Sequence, residues 1–199
     1  MALAHGVPVL QPERLRDEAF LRAVGDLRPD LGVVAAYGGS FQTRCSPIPR
    51  LGMINVHGSI LPAWRGAAPV HRAIIAGDAE TGVTIMRVVK ELDAGAMFAT
   101  VPRTIGPNET SVEVERDLAE LGAGLLADTV EALADGRAVE TPQPHRGRDV
   151  RGQADEGRER RGVDGTGGAD SQPGPRPAAL AARRGASCGF FACSSTGPS

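Results

Sequence analysis

Met53-Ile54-Asn55-Val56-His57-Gly58-Ser59-Ile60-Leu61-Pro62 starts as an apolar strand and breaks at Gly58. In a strand, residues i and i+2 project to the same side, so Asn55 and His57 leave one face together where the strand ends. Open α/β sheets gather their ligands beyond the carboxyl ends of their strands. An amide donor beside an imidazole that exchanges protons near neutrality suits a tetrahedral acyl-transfer intermediate, which needs an oxyanion donor and a proton acceptor. Alone, the Asn-x-His pair is a weak signal, because a capping Asn beside a packed or surface His is the commoner outcome.

On either side of this stretch, strand and helix patterns alternate. Gly6 to Leu10 is a short apolar strand candidate, and Pro12 to Val24 carries Leu15, Phe20 and Leu21 at helical spacing. Asp30 to Tyr37 is a continuous apolar run of the kind buried on both faces of a parallel sheet. Pro69 opens a helix that runs to Ala76. Gly82 to Val89 and Ala96 to Val101 read as further strands. Ser111 to Ala134 is a long amphipathic helix, with Val114, Leu118, Leu121, Leu125, Val130 and Leu133 near one face and Gly136 as its stop. This alternation predicts an α/β domain with a mainly parallel sheet over residues 1–140.

Residues 141–199 differ in kind. They are rich in Arg, Gly and Asp, show no hydrophobic period, and are expected to be disordered. An Arg/Gly-rich arm for RNA is one reading. A tail without a role fits better, since acidic residues are interspersed and no aromatic sits among the arginines. The whole chain has 199 residues, 41% of them hydrophobic and 23% charged, with a net charge of −2, values ordinary for a globular protein. That balance neither supports nor excludes a nucleic-acid partner, for which a local basic face suffices. No window approaches the roughly 18 consecutive apolar residues of a membrane span, and no secretory leader pattern opens the chain. Three cysteines without metal-ligand spacing fit reduced thiols and a cytoplasmic location.

Glu91-Leu92-Asp93-Ala94-Gly95-Ala96 is a polar break between two apolar runs. Asp93 is either a plain turn residue, since Asp-x-Gly is common turn chemistry, or a carboxylate that orients His57 and raises its basicity. Spacing and composition alone favour the turn. The motifs in order tip the balance: Asn55 to Pro62, Trp64-Arg65-Gly66-Ala67-Ala68-Pro69, Gly77 to Met86, and Leu92 to Gly95 together resemble the folate-dependent formyltransferase family. That family pairs an Asn-x-His with a later Asp on a mobile loop, and here His57 and Asp93 stand 36 positions apart. The likeness covers most of residues 2–140.

The resemblance implies a Rossmann-like formyltransferase core, with 10-formyltetrahydrofolate as formyl donor, an amine as acceptor, and no metal or redox cofactor. It implies Asn55, His57 and Asp93 as the catalytic residues and Ser59, Ile60, Leu61 and Pro62 as the lining of the folate site. The Trp64–Pro69 and Gly77–Met86 runs are most similar to the branch that formylates methionyl-initiator tRNA, which makes that tRNA the implied partner of a monomeric enzyme. A sugar-nucleotide or glycinamide ribonucleotide acceptor is the alternative, as is a non-catalytic folate-binding fragment. Trp64 and Arg65 border the acceptor side or are simply a packed Trp and a solvated Arg.

Against the family's pattern the chain lacks an opening strand–helix portion and a C-terminal β-barrel, so as it stands it is expected to be inactive on methionyl-tRNA. Gly39 to Pro47 also departs from the pattern although both flanks fit it. One nucleotide out of frame, that peptide can be encoded by a sequence reading Ile-Leu-Pro-Asp-Ala-Val-Leu-Ala, which is family-like. We therefore expect a compensated frameshift there and an uncorrected one after about residue 144. The nucleotide sequence decides this: an unbroken family-like frame bears the expectation out, and its absence removes it.

Overall fold

Apolar runs become strands here because each can bury a face. The computed structural model describes residues 2–12, 17–35 and 47–144, together with the backbone of a strand at 188–191. The strands are Leu31–Ala35 (β1), Met53–His57 (β2), Glu80–Arg87 (β3), Met97–Thr104 (β4) and Cys188–Phe191 (β5), in the sheet order β4-β3-β2-β1-β5. β1 runs parallel to both β2 and β5, whereas β2–β3 and β3–β4 are antiparallel. The sheet is therefore mixed, and the parallel character expected from the sequence is confined to the β2-β1-β5 side. Strand patterns report burial and not direction. The break at Asp93 folds β4 back along β3 as a hairpin partner.

Alternation along each strand divides the core in two. Leu31, Val33, Ile54, Val83 and Ile85 face Val70 of helix Pro69–Ala76 (α2) and Val114, Leu118 and Leu126 of helix Ser111–Ala134 (α3). Val34 and Met53 face the other way and pack with Val88 on Phe20 and Val24 of helix Glu18–Asp26 (α1). Burying side chains of this size contributes about 1.5–3 kcal/mol each. α1 is capped by Asp17, whose carboxylate accepts the Ala19 N–H at 3.0 Å, a standard N-cap. α2 begins at Pro69 as expected. α3 begins with a capping box in which Thr110 and Glu113 satisfy each other's backbone N–H groups.

Several expectations need correction. Gly6 to Leu10 forms no strand: a 3-10 turn spans Ala2–His5, and Val7, Val9 and Leu10 are exposed. Pro8 offers no N–H, and among the described residues no strand pairs with this segment. α1 starts at Glu18, later than Pro12, and Leu15 lies outside the described residues. The core-facing line of α3 runs Val114, Leu118, Gly122, Leu126, Thr129, and Leu121 is exposed. Gly122 sits on that line because the helix comes close to the sheet: a Cβ there would stand 3.3 Å from Val83 and 3.4 Å from Val56. The ordered chain also continues past residue 140. Thr141 exchanges two 2.8 Å backbone hydrogen bonds with Met97, and Gln143 is buried.

β5 forms where the tail was expected to hold no element. Its residues are apolar or glycine, and it pairs with the edge of β1 that otherwise presents open N–H and C=O groups. The remaining tail and Gly39 to Cys45 lie outside the described residues. Among the described residues no helix is long and apolar enough to cross a membrane.

Arg103 of β4 ties the sheet to α3, donating to Glu109 at 2.6 Å and to Asp117 at 2.6 Å. The bonds from Arg103, reinforced by the Gly106 N–H, pull the Glu109 carboxyl from its ordinary 4.5 to about 2, and Arg103 also lowers Asp117. A depressed folded-state value gives stability that is present above the ordinary value and lost as pH falls through the folded one. The thermal midpoint should therefore fall more steeply between pH 4.5 and about 2 in the parent than in Arg103→Met. Equal slopes would show that the cluster adds nothing.

Candidate active site

The register of β2 against β3 sets His57 opposite Thr84 and Asn55 opposite Met86. Asn55 and His57 share the face expected for them, and each is 5% exposed. That face also holds Thr84, whose hydroxyl donates to Ser59 O at 2.8 Å and accepts the Leu61 N–H at 3.2 Å. Thr84 thus pins the loop that follows Gly58 onto the sheet. Within that loop Ser59 Oγ donates to Ala63 O at 2.6 Å, and the Leu61–Pro62 peptide is cis. Ser59 and Leu61 are buried, while Ile60 and Pro62 keep part of their surface open.

Asp93 comes to this face from the β3–β4 connection and is itself 5% exposed. Its Oδ2 accepts the Gly66 N–H at 2.8 Å and lies 3.7 Å from His57 Nδ1. Its Oδ1 faces Asn55 Nδ2 at 3.4 Å, a long hydrogen bond. Asn55 and His57 therefore converge on the carboxylate of the third candidate, Asp93. The segment is a turn, as its spacing and composition suggest, and it also presents the Asp93 carboxylate to Asn55 and His57. Gly95 is the steric requirement, since a Cβ there would stand 1.8 Å from Arg87 O. Asp93 is the chemically placed residue, and its φ of +46° is a left-handed conformation rarely adopted without a compensating hold.

The imidazole is hydrogen-bonded at one end and faces a carboxylate at the other. His57 Nε2 lies 2.9 Å from Trp64 O, and because a carbonyl only accepts, Nε2 carries a proton there. Nδ1 is left turned toward Asp93, beyond hydrogen-bond distance, and the pair becomes an ion pair when the ring takes a second proton. Trp64 has a φ of +56°, and its indole N–H donates to Asp78 Oδ2 at 2.7 Å, so it is a fixed Trp whose backbone serves the site. Arg65 is half-buried and bound: its Nε donates to Gln143 Oε1 at 3.0 Å, and its Nη2 donates to the same oxygen.

Sequence reasoning missed three contributors. Thr84 and Asp78 sit in runs quoted above, but only the fold shows what they hold. Gln143 fell in the stretch read as tail. A hint was available, since Pro142 and Pro144 flank it and proline keeps its neighbour extended.

A buried Asn and His at a strand end, with a loop carboxylate facing both, bring an amide, an imidazole and a carboxylate together on one face of the sheet. The chain belongs to the formyl transferase family, whose profile matches residues 2–130. It is 56% identical over 138 residues to the methionyl-tRNA formyltransferase of Leifsonia xyli subsp. xyli, covering 69% of this chain and 45% of that protein. The corresponding protein of Symbiobacterium thermophilum is 47% identical over 147 residues, covering 74% of this chain and 45% of its own. The chain thus spans about half the length of the curated relatives it matches. Among solved structures, the phosphoribosylglycinamide formyltransferase of Streptococcus pneumoniae superposes with a TM-score of 0.60 at 24% identity, covering 67% of this chain and 78% of that one.

Proposed function

We propose that this site transfers a formyl group from 10-formyltetrahydrofolate to the α-amine of methionyl-initiator tRNA. The observation that carries the reading is the convergence of Asn55 and His57 on the buried Asp93 carboxylate, with His57 Nδ1 3.7 Å from it. The methionyl-tRNA formyltransferases that share 44–56% of their aligned residues with this chain support the acceptor. A formyltransferase of Anoxybacillus kamchatkensis solved with tetrahydrofolate, similar in fold, is compatible with the donor.

In this reading the neutral amine attacks the formyl carbon, the new C–N bond forms, and the carbonyl electron pair moves to oxygen. Asn55 gives one amide hydrogen to Asp93 and keeps the second for that oxyanion. His57 joins it by exchanging the Trp64 carbonyl for the substrate, its Nε2–H donating to the oxyanion, while Asp93 holds the orientation of the ring. Collapse of the intermediate breaks the bond to the folate nitrogen, which receives the proton that the amine gives up. Ile60 and Pro62 offer the open surface of the folate-lining loop, whereas Ser59 is buried and bonded within the loop and Leu61 is buried and bonded to Thr84 of β3. The same reading puts the protein in the cytoplasm, acting as a monomer.

The test uses the Leifsonia xyli relative with residues 2–144 of this chain in place of its own matching stretch. His57→Ala should lower turnover of methionyl-tRNA by about 10²–10⁴-fold, and Asn55→Ala by about 10²–10³-fold. Affinity for a tetrahydrofolate analogue should change little in both. Undiminished turnover in either variant would remove that residue from the mechanism.

A further inference from the structure

The site depends on a loop, and something must hold the loop. Asp93 sits in a left-handed conformation, its segment connects two strands, and its carboxylate must stay between Asn55, His57 and Gly66. Gln143 is 50 positions away in sequence and 9% exposed, yet its side-chain amide donates to Asp93 O at 2.8 Å and to Gly95 O at 2.8 Å. The same side chain accepts from Arg65, the neighbour of Gly66. One residue therefore uses all three of these contacts to tie the Asp93 loop to the Trp64–Gly66 loop. The chain that carries it is anchored two residues earlier, where Thr141 bridges Met97.

We infer that Gln143 is the positioning residue of the site, a polar clamp that fixes the Asp93 carboxylate against His57 and Asn55 without touching substrate. The chemistry explains why Gln is required. Two backbone carbonyls need two N–H donors, and the guanidinium of Arg65 needs an acceptor at the other atom of the same planar group. Asp or Glu offers acceptors only, and Asn is one methylene shorter. Glu in this place would turn a carboxylate oxygen toward two carbonyl oxygens while keeping the Arg65 contact. The near-isosteric Gln143→Glu should therefore fail much as Gln143→Ala does, which a simple space-filling role would not produce.

What the clamp serves rests on the formyl-transfer reading, while its existence does not, and the two are tested apart. In the 199-residue chain, amide hydrogen exchange is followed at Gly66 and Ala94, with Val83 and Thr84 of β3 as reference. Gln143→Ala and Gln143→Glu should speed exchange at Gly66 and Ala94 by about tenfold, the effect of two lost hydrogen bonds, with β3 unchanged. Unchanged exchange at Gly66, or equal acceleration everywhere, would overturn the clamp. In the chimeric enzyme described above, both variants should lower kcat by about tenfold or more and leave the KM for the folate donor within about threefold. A fall confined to KM, or full activity in Gln143→Glu, would also overturn it. An unsubstituted chimera without formyl transfer would count against the functional reading, and the exchange experiment would still judge the clamp.

Discussion

One buried carboxylate organises everything around it. Asp93 accepts from the Gly66 backbone, faces the Asn55 amide and stands beside the His57 ring. A carboxylate taken out of water is costly unless donors surround it. Those donors come from two pieces of chain, the end of β2 and the loop after it, while a third, the β3–β4 connection, carries Asp93 itself. The requirement to satisfy Asp93 therefore becomes a requirement on where each piece lies. The antiparallel pairing of β2 with β3 and the turn at Gly95 are the parts of the fold that meet it most directly.

The sheet's division of labour follows. One face of β2 and β3, with Ile54, Val56, Val83 and Ile85, is given over to packing against α2 and α3. The other face begins as core, with Met53 against Phe20 and Val24, and becomes chemistry two residues later at Asn55 and His57. This places polar side chains at the rim of a packed layer, where the core fixes their backbone and little room is left for other rotamers. Thr84 extends the arrangement by pinning the Ser59–Leu61 segment. Trp64 does the same through its carbonyl, with the indole locked to Asp78.

Much of this was legible in the sequence, and the illegible parts share a cause. β2 ends where Met53–His57 was read, and α2 and α3 run over the residues expected, because period, Pro69 and the Thr110 cap are local signals. Asn55 and His57 project together because strand geometry guarantees it. Strand direction was not legible, since a run such as Gly82–Val89 looks alike whichever way its neighbour runs. Gly122 escaped because a glycine scores as a gap in a hydrophobic stripe, whereas here it is the point of closest approach between helix and sheet. The Trp64 carbonyl escaped because a backbone acceptor leaves no trace in residue identity. Gln143 escaped because its burial is created by loops far from it in sequence.

The central claim is that His57 and Asp93 act as one unit, and a double-mutant cycle on formyl transfer tests it most directly. Turnover is measured for the chimeric enzyme and for His57→Ala, Asp93→Asn and the double variant. Residues that work through each other show losses well short of multiplicative. The account predicts that Asp93→Asn costs little further activity once His57 is alanine. Losses that multiply would mean that the two residues act independently and that the carboxylate is not what sets the imidazole to work.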